Sequence, residues 1–530
     1  MSTEEKSQAP DVFETQSSVE SVGEIVDVTM DNTEAENGDV VLQQKIRLIN
    51  DAIDQIGFTY HHFKLFCIAG FGYSIDSQME MIQSSVKVYV DYQMKRGTDF
   101  PVSNEVFYVG LILGSIFFGM GCDLIGRKVV FNSSVFLTSI FGFLTGGMDN
   151  YPMYCIFMAL SAFAAGGNIA TDVSVFLEYL PTKHQYLNTV MAMWWGVGMT
   201  IAALISWAFI PNNSCSSADY CPSHINRGWR YCWYVNSGIC LFAALLRVFV
   251  LKMDETPKFL VSVGKDREAF EVLKKISDKY NRPMSLTLEQ LEKCGTINPD
   301  YYDVKKDGYS FKALLRTIKV NLKILFQSPR VIRSTVLVFL SWGFIGISYS
   351  TFYNFLYIFI ASHGGDTGST TYLTYRNATL DNFAGIFGPI LAGGMILIKF
   401  KAFGKNIVLG RRGTMAFGAI ASMAILFGYT TVRTPAGDAG FGSATYFFVN
   451  IYYATLYAYT PEIFPTKARG TGVGAALVVG RTFGIFAPVV YYYGAKSSSA
   501  VPIWVCGAII GCLSIFSLLM PFEPSLKRAV

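Results

Sequence analysis

Twelve apolar runs, each of roughly the twenty residues a helix needs to cross a bilayer, dominate this 530-residue sequence. They lie near 63–86, 104–122, 129–147, 153–177, 186–210, 229–251, 333–361, 378–398, 413–431, 441–460, 471–493 and 501–521. Lipid offers no partner for backbone N–H and C=O groups, so such runs must form helices. The charged fraction of 15% supports this reading, since soluble domains sit near about a quarter. The expectation is an all-α membrane protein of twelve transmembrane helices.

The formal net charge is only +4, which excludes a nucleic-acid binder of the basic-patch kind. Residues 1–40 hold eleven acids against Lys6, few aromatics and little to bury. Residues 1–60 are therefore expected to be a disordered acidic tail. If that tail is cytosolic, Arg127, Lys128, Lys183, Lys399 to Arg412, Lys467, Arg469 and the basic central segment all fall inside. The positive-inside rule thus places both termini in the cytosol. The runs divide into bundles at 61–252 and 333–521, joined by a linker at 253–332 and followed by a short tail at 522–530. Within the linker, Phe311, Leu314, Leu315, Ile318, Leu322 and Leu325 oppose Lys312, Arg316, Lys319 and Lys323, the pattern of an amphipathic helix at the inner membrane surface.

The halves repeat each other. Gly126-Arg127-Lys128 recurs as Gly410-Arg411-Arg412, and Glu178 to Lys183 recurs as Glu462 to Lys467, both at an offset of 284 residues. Two motifs sharing one offset, at matching span numbers, argue for two pseudo-symmetric copies of a six-helix unit, an architecture of transporters.

The run Gly119-Met-Gly-Cys-Asp123-Leu-Ile-Gly126-Arg127-Lys128 resembles the loop signature of the major facilitator superfamily, and Pro461-Glu462 to Arg469-Gly470-Thr-Gly472 resembles its second-half counterpart. Gly70 to Asp76, Gly166 to Asp172, Trp194-Trp195 and Asp254 to Leu260 resemble the synaptic-vesicle-protein and organic-ion-transporter branch, including its fungal members. The resemblance spans roughly 60–525 and implies the major facilitator fold. Two positions depart from the pattern. Met158 and its neighbours are uncharged where many relatives carry an Arg, which leaves proton coupling open; Ile407 replaces the Asp that would match Asp123, which implies an asymmetric gate.

Physical reading of the signature is independent of the name. Asp123 beside Arg127 and Lys128 can accept charge-assisted hydrogen bonds that hold helix ends together, and Gly119 and Gly126 serve no purpose in topology alone. Arg411, Arg412 and Arg469 belong to the same gate, and Glu178 and Glu462, ending their helices beside Pro and Lys, read as gate or hinge elements. The bland alternative is a set of topology charges.

Asp76 lies about 20 Å into the first span at 1.5 Å per residue, and Glu80 is one turn further on the same face. A carboxylate at such depth takes up a proton, binds a cation or forms a structural pair, and all three readings stay open. Arg481, about 15 Å into the eleventh span, is its natural partner or an anchor for an anionic solute. Asn168 and Asp172 share a face of the fourth span and serve either packing or solute contact. Trp194, Trp195, Tyr349, Tyr353, Asn354 and Asp381 complete the candidates; aromatic walls suit an organic solute, although single aromatics are common in helix packing. Cys215 and Cys221 share one external loop, where their spacing permits a disulfide without requiring it.

Enzyme chemistry finds no support. All five His lie at or beyond span ends, no metal pattern occurs, and no phosphate-cradling Gly-rich Lys motif is present, so no cofactor is expected. The expected function is alternating-access transport of a small organic, ionised solute with protons, by a monomer in the plasma membrane. The alternatives are a non-transporting nutrient sensor and an uncoupled facilitator.

Overall fold

The computed structural model describes residues 40–94, 102–217, 219–296, 311–362, 371–402, 405–432, 434–465, 468–487 and 501–524. Among them, twelve helical spans form two six-helix bundles. The first bundle contains Tyr60–Gln93, Val102–Met120, Arg127–Gly147, Tyr151–Tyr179, Leu187–Phe209 and Gly228–Leu251. The second contains Pro329–Ser362, Thr371–Ile396, Gly410–Tyr429, Pro435–Ile463, Arg469–Ile485 and Val501–Leu519. Six of these are apolar enough to cross a membrane on length and composition alone; the first carries Asp76 and Glu80, and the eighth is divided at Ile386.

Small residues set how closely the spans approach. A side chain on Gly114 would meet the Phe163 carbonyl at 2.0 Å, so spans two and four touch backbone to backbone. The bundles meet along two seams. Gly119 lies against Gly474 between spans two and eleven, and Gly196 against Ile386 between spans five and eight.

The repeat is visible in backbone conformation. Gly126 has φ +99° and Gly410 has φ +59°, a region that disfavours any other residue, and each stands at the start of its helix, just before Arg127 or Arg411. Glu255 accepts from the backbone N–H groups of Arg127 (3.2 Å) and Lys128 (3.2 Å); Glu523 does the same for Arg411 (2.9 Å) and Arg412 (3.1 Å). Each helix N-terminus is thus capped by a carboxylate that follows the last span of its own half.

One expectation needs correction. Residues 40–56 are not part of a disordered tail. Leu42, Ile46, Ile49, Ile53 and Ile56 line one buried face of the helix Val40–Ile56, which docks on the linker helices through Lys45 and Asp266 at 2.5 Å. The acidic composition ends before this apolar pattern begins, and residues 1–39 lie outside the described residues. The molecule also has a short β-hairpin, Lys399–Ala402 paired antiparallel with Lys405–Val408, in the loop between spans eight and nine.

Linker helices Pro257–Ser262, Asp266–Tyr280 and Leu288–Lys293 pack below the first bundle. The helix Phe311–Ile324 lies under the seam between bundles, where Ile318 packs with Met120 and Ala475. Thr335 donates to the Leu325 carbonyl at 3.1 Å and fixes its turn into span seven.

Candidate functional site

Span one is long enough to bring Asp76 to the middle of the first bundle, and span eleven brings Arg481 to the same depth from the second. Arg481 Nη2 donates to Asp76 Oδ2 at 2.6 Å. Its other terminal nitrogen, Nη1, donates to the carbonyls of Leu111 (2.9 Å) and Gly166 (2.8 Å) and to the Ser115 hydroxyl. A side chain at Gly166 would sit 3.2 Å from that guanidinium and 2.5 Å from the Leu111 carbonyl, so the glycine leaves room for the contact. Every one of these acceptors belongs to the first half. Asp76 is 2% exposed, and its second oxygen, Oδ1, has no hydrogen-bond partner among the described residues.

Around this pair lies a cavity of about 50 Å³, lined by Asp76, Glu80, Tyr108, Trp195, Trp342, Tyr349, Ser350, Tyr453, Tyr457 and Arg481 together with smaller residues. That volume suits a few waters, whereas pockets for organic ligands run to hundreds of cubic ångströms. Its walls are interlocked rings: Trp342 and Tyr457 at 4.6 Å, Tyr349 and Tyr453 at 5.5 Å, and Trp195 and Tyr73 at 6.2 Å. Tyr108 donates to Glu80 at 3.0 Å and lies 3.3 Å from Ser350, a second link between halves. Beyond the cavity, the Tyr375 hydroxyl donates to the Ser85 carbonyl at 2.8 Å and Trp207 packs on Tyr372.

On the linker side the halves are joined again. Glu178 is ion-paired with Arg127 from its own half and with Arg469 from the second half at 3.0 Å. Arg411 forms a two-nitrogen fork with Glu462 and also donates to the Thr189 hydroxyl and the Gln185 carbonyl of the first half. Asp123 Oδ2 accepts from the Thr471 N–H at 2.9 Å and its hydroxyl at 3.0 Å, at the N-terminus of span eleven, while Arg127 stays 3.7 Å away. Burial pushes the Asp123 carboxyl above its usual range, and Arg127 and the Thr471 N–H oppose that shift. Asn321 of the linker bonds Thr471 at 3.1 Å and reaches Asp123 at 3.5 Å.

Several sequence candidates lie elsewhere. Asp172 pairs with Arg247 at 2.6 Å inside the first bundle, and Asn168 accepts from Ser134 there; neither lines the cavity. The sequence could not show which helix face meets the cavity, and Arg247 is 75 residues from its partner. Trp194 packs between Phe66 and Phe71 over Gly70, away from the cavity. Asp381 accepts from Ser443 at 2.9 Å within the second bundle. Lys128 is exposed and meets Glu255 through its backbone N–H, so its ammonium is not part of the junction. Arg412 donates to the Ser517 and Leu518 carbonyls, bracing span nine on span twelve. The side chains of Tyr353 and Asn354 lie outside the described residues. Cys215 and Cys221 are disulfide-bonded.

Trp342, Tyr453, Tyr457, Tyr108 and Gln185 were not singled out from sequence, and Glu255 and Thr471 stood only inside the quoted family motifs. A signal existed for two of them: Tyr453 and Tyr457 are one helical turn apart, just before the Pro461-Glu462 motif.

The Major Facilitator Superfamily model matches residues 105–488. The MFS siderochrome iron transporter 1 of Ceriporiopsis subvermispora is 35% identical over 495 residues, covering 92% of each chain. The major facilitator-type transporter hxnZ of Emericella nidulans is 31% identical over 492 residues, 90% of this chain and 87% of that one. Among solved structures, the proton:xylose symporter XylE bound to 6-bromo-6-deoxy-D-glucose superposes with a TM-score of 0.66 at 15% identity, covering 89% of this chain and 98% of the other.

Proposed function

Because the chain belongs to the major facilitator superfamily, we propose that it moves a small, ionised organic solute across the membrane by alternating access, in symport with a proton. The observation that carries this reading is the Asp76–Arg481 pair, which joins the two bundles at the centre of the aromatic cavity. The fourth span lacks an Arg near Met158, and Arg481 supplies the guanidinium for Asp76 from the opposite half.

A proton arriving at Asp76 Oδ1 removes the carboxylate charge that holds Arg481. The guanidinium is then available to a solute anion, and the bundles are free to part. Glu80 is the second acidic group of the site, and Trp195 and Tyr349 form part of its organic wall. Asp123, Arg127, Glu178, Arg411, Glu462 and Arg469, with Gly119, Gly126 and the helix-bracing Arg412, make up the inside gate, which is closed in this conformation. A monomer in the plasma membrane is part of this reading, and the distribution of Lys and Arg supports cytosolic termini.

Ligands are to be found by a thermal-shift screen of organic acids, amines and sugars, then tested for uptake into proteoliposomes with and without an inward acid gradient. Gradient-driven accumulation by the wild type, reduced to simple equilibration in Asp76→Asn, is the expected result. Uptake indifferent to the gradient means an uncoupled facilitator, and a ligand that binds without flux means a sensor.

A further inference from the structure

From Lys312 to Arg333 the chain carries Lys312, Arg316, Lys319, Lys323, Arg330 and Arg333 and no acidic residue, and all six are exposed. Leu315, Val320, Phe326, Ile332 and Val336 are exposed among them, which water alone would not favour. Beside this surface, where span seven begins and span twelve ends, lies a groove of about 450 Å³ lined by Pro329, Ile332, Arg333, Val336, Leu337 and Leu519. Arg333 is the one polar side chain of that lining.

We propose that this groove and the adjoining helix form a binding site for an anionic phospholipid of the linker-side leaflet. An acyl chain fills the apolar slot, Arg333 takes the phosphate, and Lys312, Lys319 and Lys323 face the negative membrane surface. Charge of a single sign beside the end of a spanning helix selects such a lipid over a zwitterionic one, and the apolar slot selects it over a soluble anion.

The opposite face of the same helix gives the site a consequence for the gate. Ile318 packs on Met120 of the first half and Ala475 of the second, and Asn321 bonds Thr471 while reaching Asp123. A lipid that holds the helix against the membrane therefore favours the state closed on this side, whichever solute is carried.

The test is thermal unfolding of the purified full-length protein with dioctanoyl phosphatidylserine, dioctanoyl phosphatidylcholine or glycerophosphoserine. Phosphatidylserine is expected to raise Tm by at least ~2 °C, with the other two nearly inert. Lys312→Gln/Lys319→Gln/Lys323→Gln should weaken apparent phosphatidylserine affinity on the order of 10–100-fold, and the triple Lys→Arg variant should keep it. Should the Gln variant fold poorly, the salt dependence of the wild-type shift tests the same charge selection: the shift must shrink as salt rises, and a shift indifferent to salt overturns it. An equal shift with phosphatidylcholine overturns the charge selection as well. An equal shift with glycerophosphoserine overturns the lipid, leaving a site for a soluble anion.

Discussion

In the first half, Glu178 sits between two guanidinium groups, one from its own bundle and one, Arg469, from the other. In the second half, Arg411 binds Glu462 of its own bundle and reaches across to a neutral hydroxyl and a carbonyl, at Thr189 and Gln185. Gln185 stands 284 residues before Arg469, so the two crossings occupy equivalent places in the repeat. Their chemistry differs. The same polarity recurs elsewhere: Thr471 donates to Asp123, Arg481 to Asp76, and Tyr375 to the Ser85 carbonyl. Across these contacts the second half donates and the first half accepts. Neutralising first-half carboxylates is therefore the direct chemical route to separating the bundles.

The sharpest way to break this comparison is to remove each buried acid in turn. Glu178→Ala removes the carboxylate shared by two buried guanidinium groups, Arg127 and Arg469, and should weaken the closed state by about 3–5 kcal/mol. Glu462→Ala removes the carboxylate from one buried guanidinium, Arg411, which keeps its bonds to Thr189 and Gln185, and should cost less, about 3 kcal/mol. Thermal unfolding, together with labelling of a cysteine placed behind the gate on the linker side, reads both. Equal losses would mean that the halves are functionally symmetric.

Asp123 supplies the next contrast, because the aligned position in the second half is Ile407. Asp123→Asn retains the shape but turns two charge-assisted bonds from Thr471 into neutral ones, weakening closure by about 1.5 kcal/mol. Labelling behind the gate should rise accordingly, with little change in thermal stability of the separate bundles. If the label reports no change, the Thr471 contact contributes nothing to closure.

How far these features could be read beforehand follows from the range of the signals. The spans, the offset of 284, the Gly126 and Gly410 turns and the depths of Asp76 and Arg481 are local properties of the chain. Which face of a helix meets the cavity is a tertiary property. The sequence around Asp172 therefore gives no sign of Arg247 beside it, and Trp194 and Trp195, adjacent in sequence, point to different surroundings. Glu255 lies in the Asp254 to Leu260 motif, but nothing in that motif shows that it caps a helix that begins 128 residues earlier. The helix Val40–Ile56 was missed for another reason: composition was averaged across a boundary that the apolar period alone marks.

The last predicted effect separates the halves by pH. Lys258, in the linker helix Pro257–Ser262, is 2% exposed, and its pKa is pushed down to about 7, first by burial and then by Arg469 and Arg127, with Asp54 pulling the other way. Opening the gate rehydrates this ammonium and returns it towards its ordinary value of about 10.5, so opening takes up a proton between those limits. Closure is accordingly favoured as pH rises from about 7 towards 10, by at most about tenfold per pH unit, and the dependence flattens below 7. Labelling behind the gate from pH 6.5 to 9.5 should therefore slow as pH rises, once corrected for thiolate ionisation with an exposed control cysteine. Lys258→Met should flatten the profile, whereas Glu462→Gln, on the second half's side of the junction, should shift its level and leave its slope. A slope that survives Lys258→Met would assign the proton to another group and remove the distinction between the two halves in their response to pH.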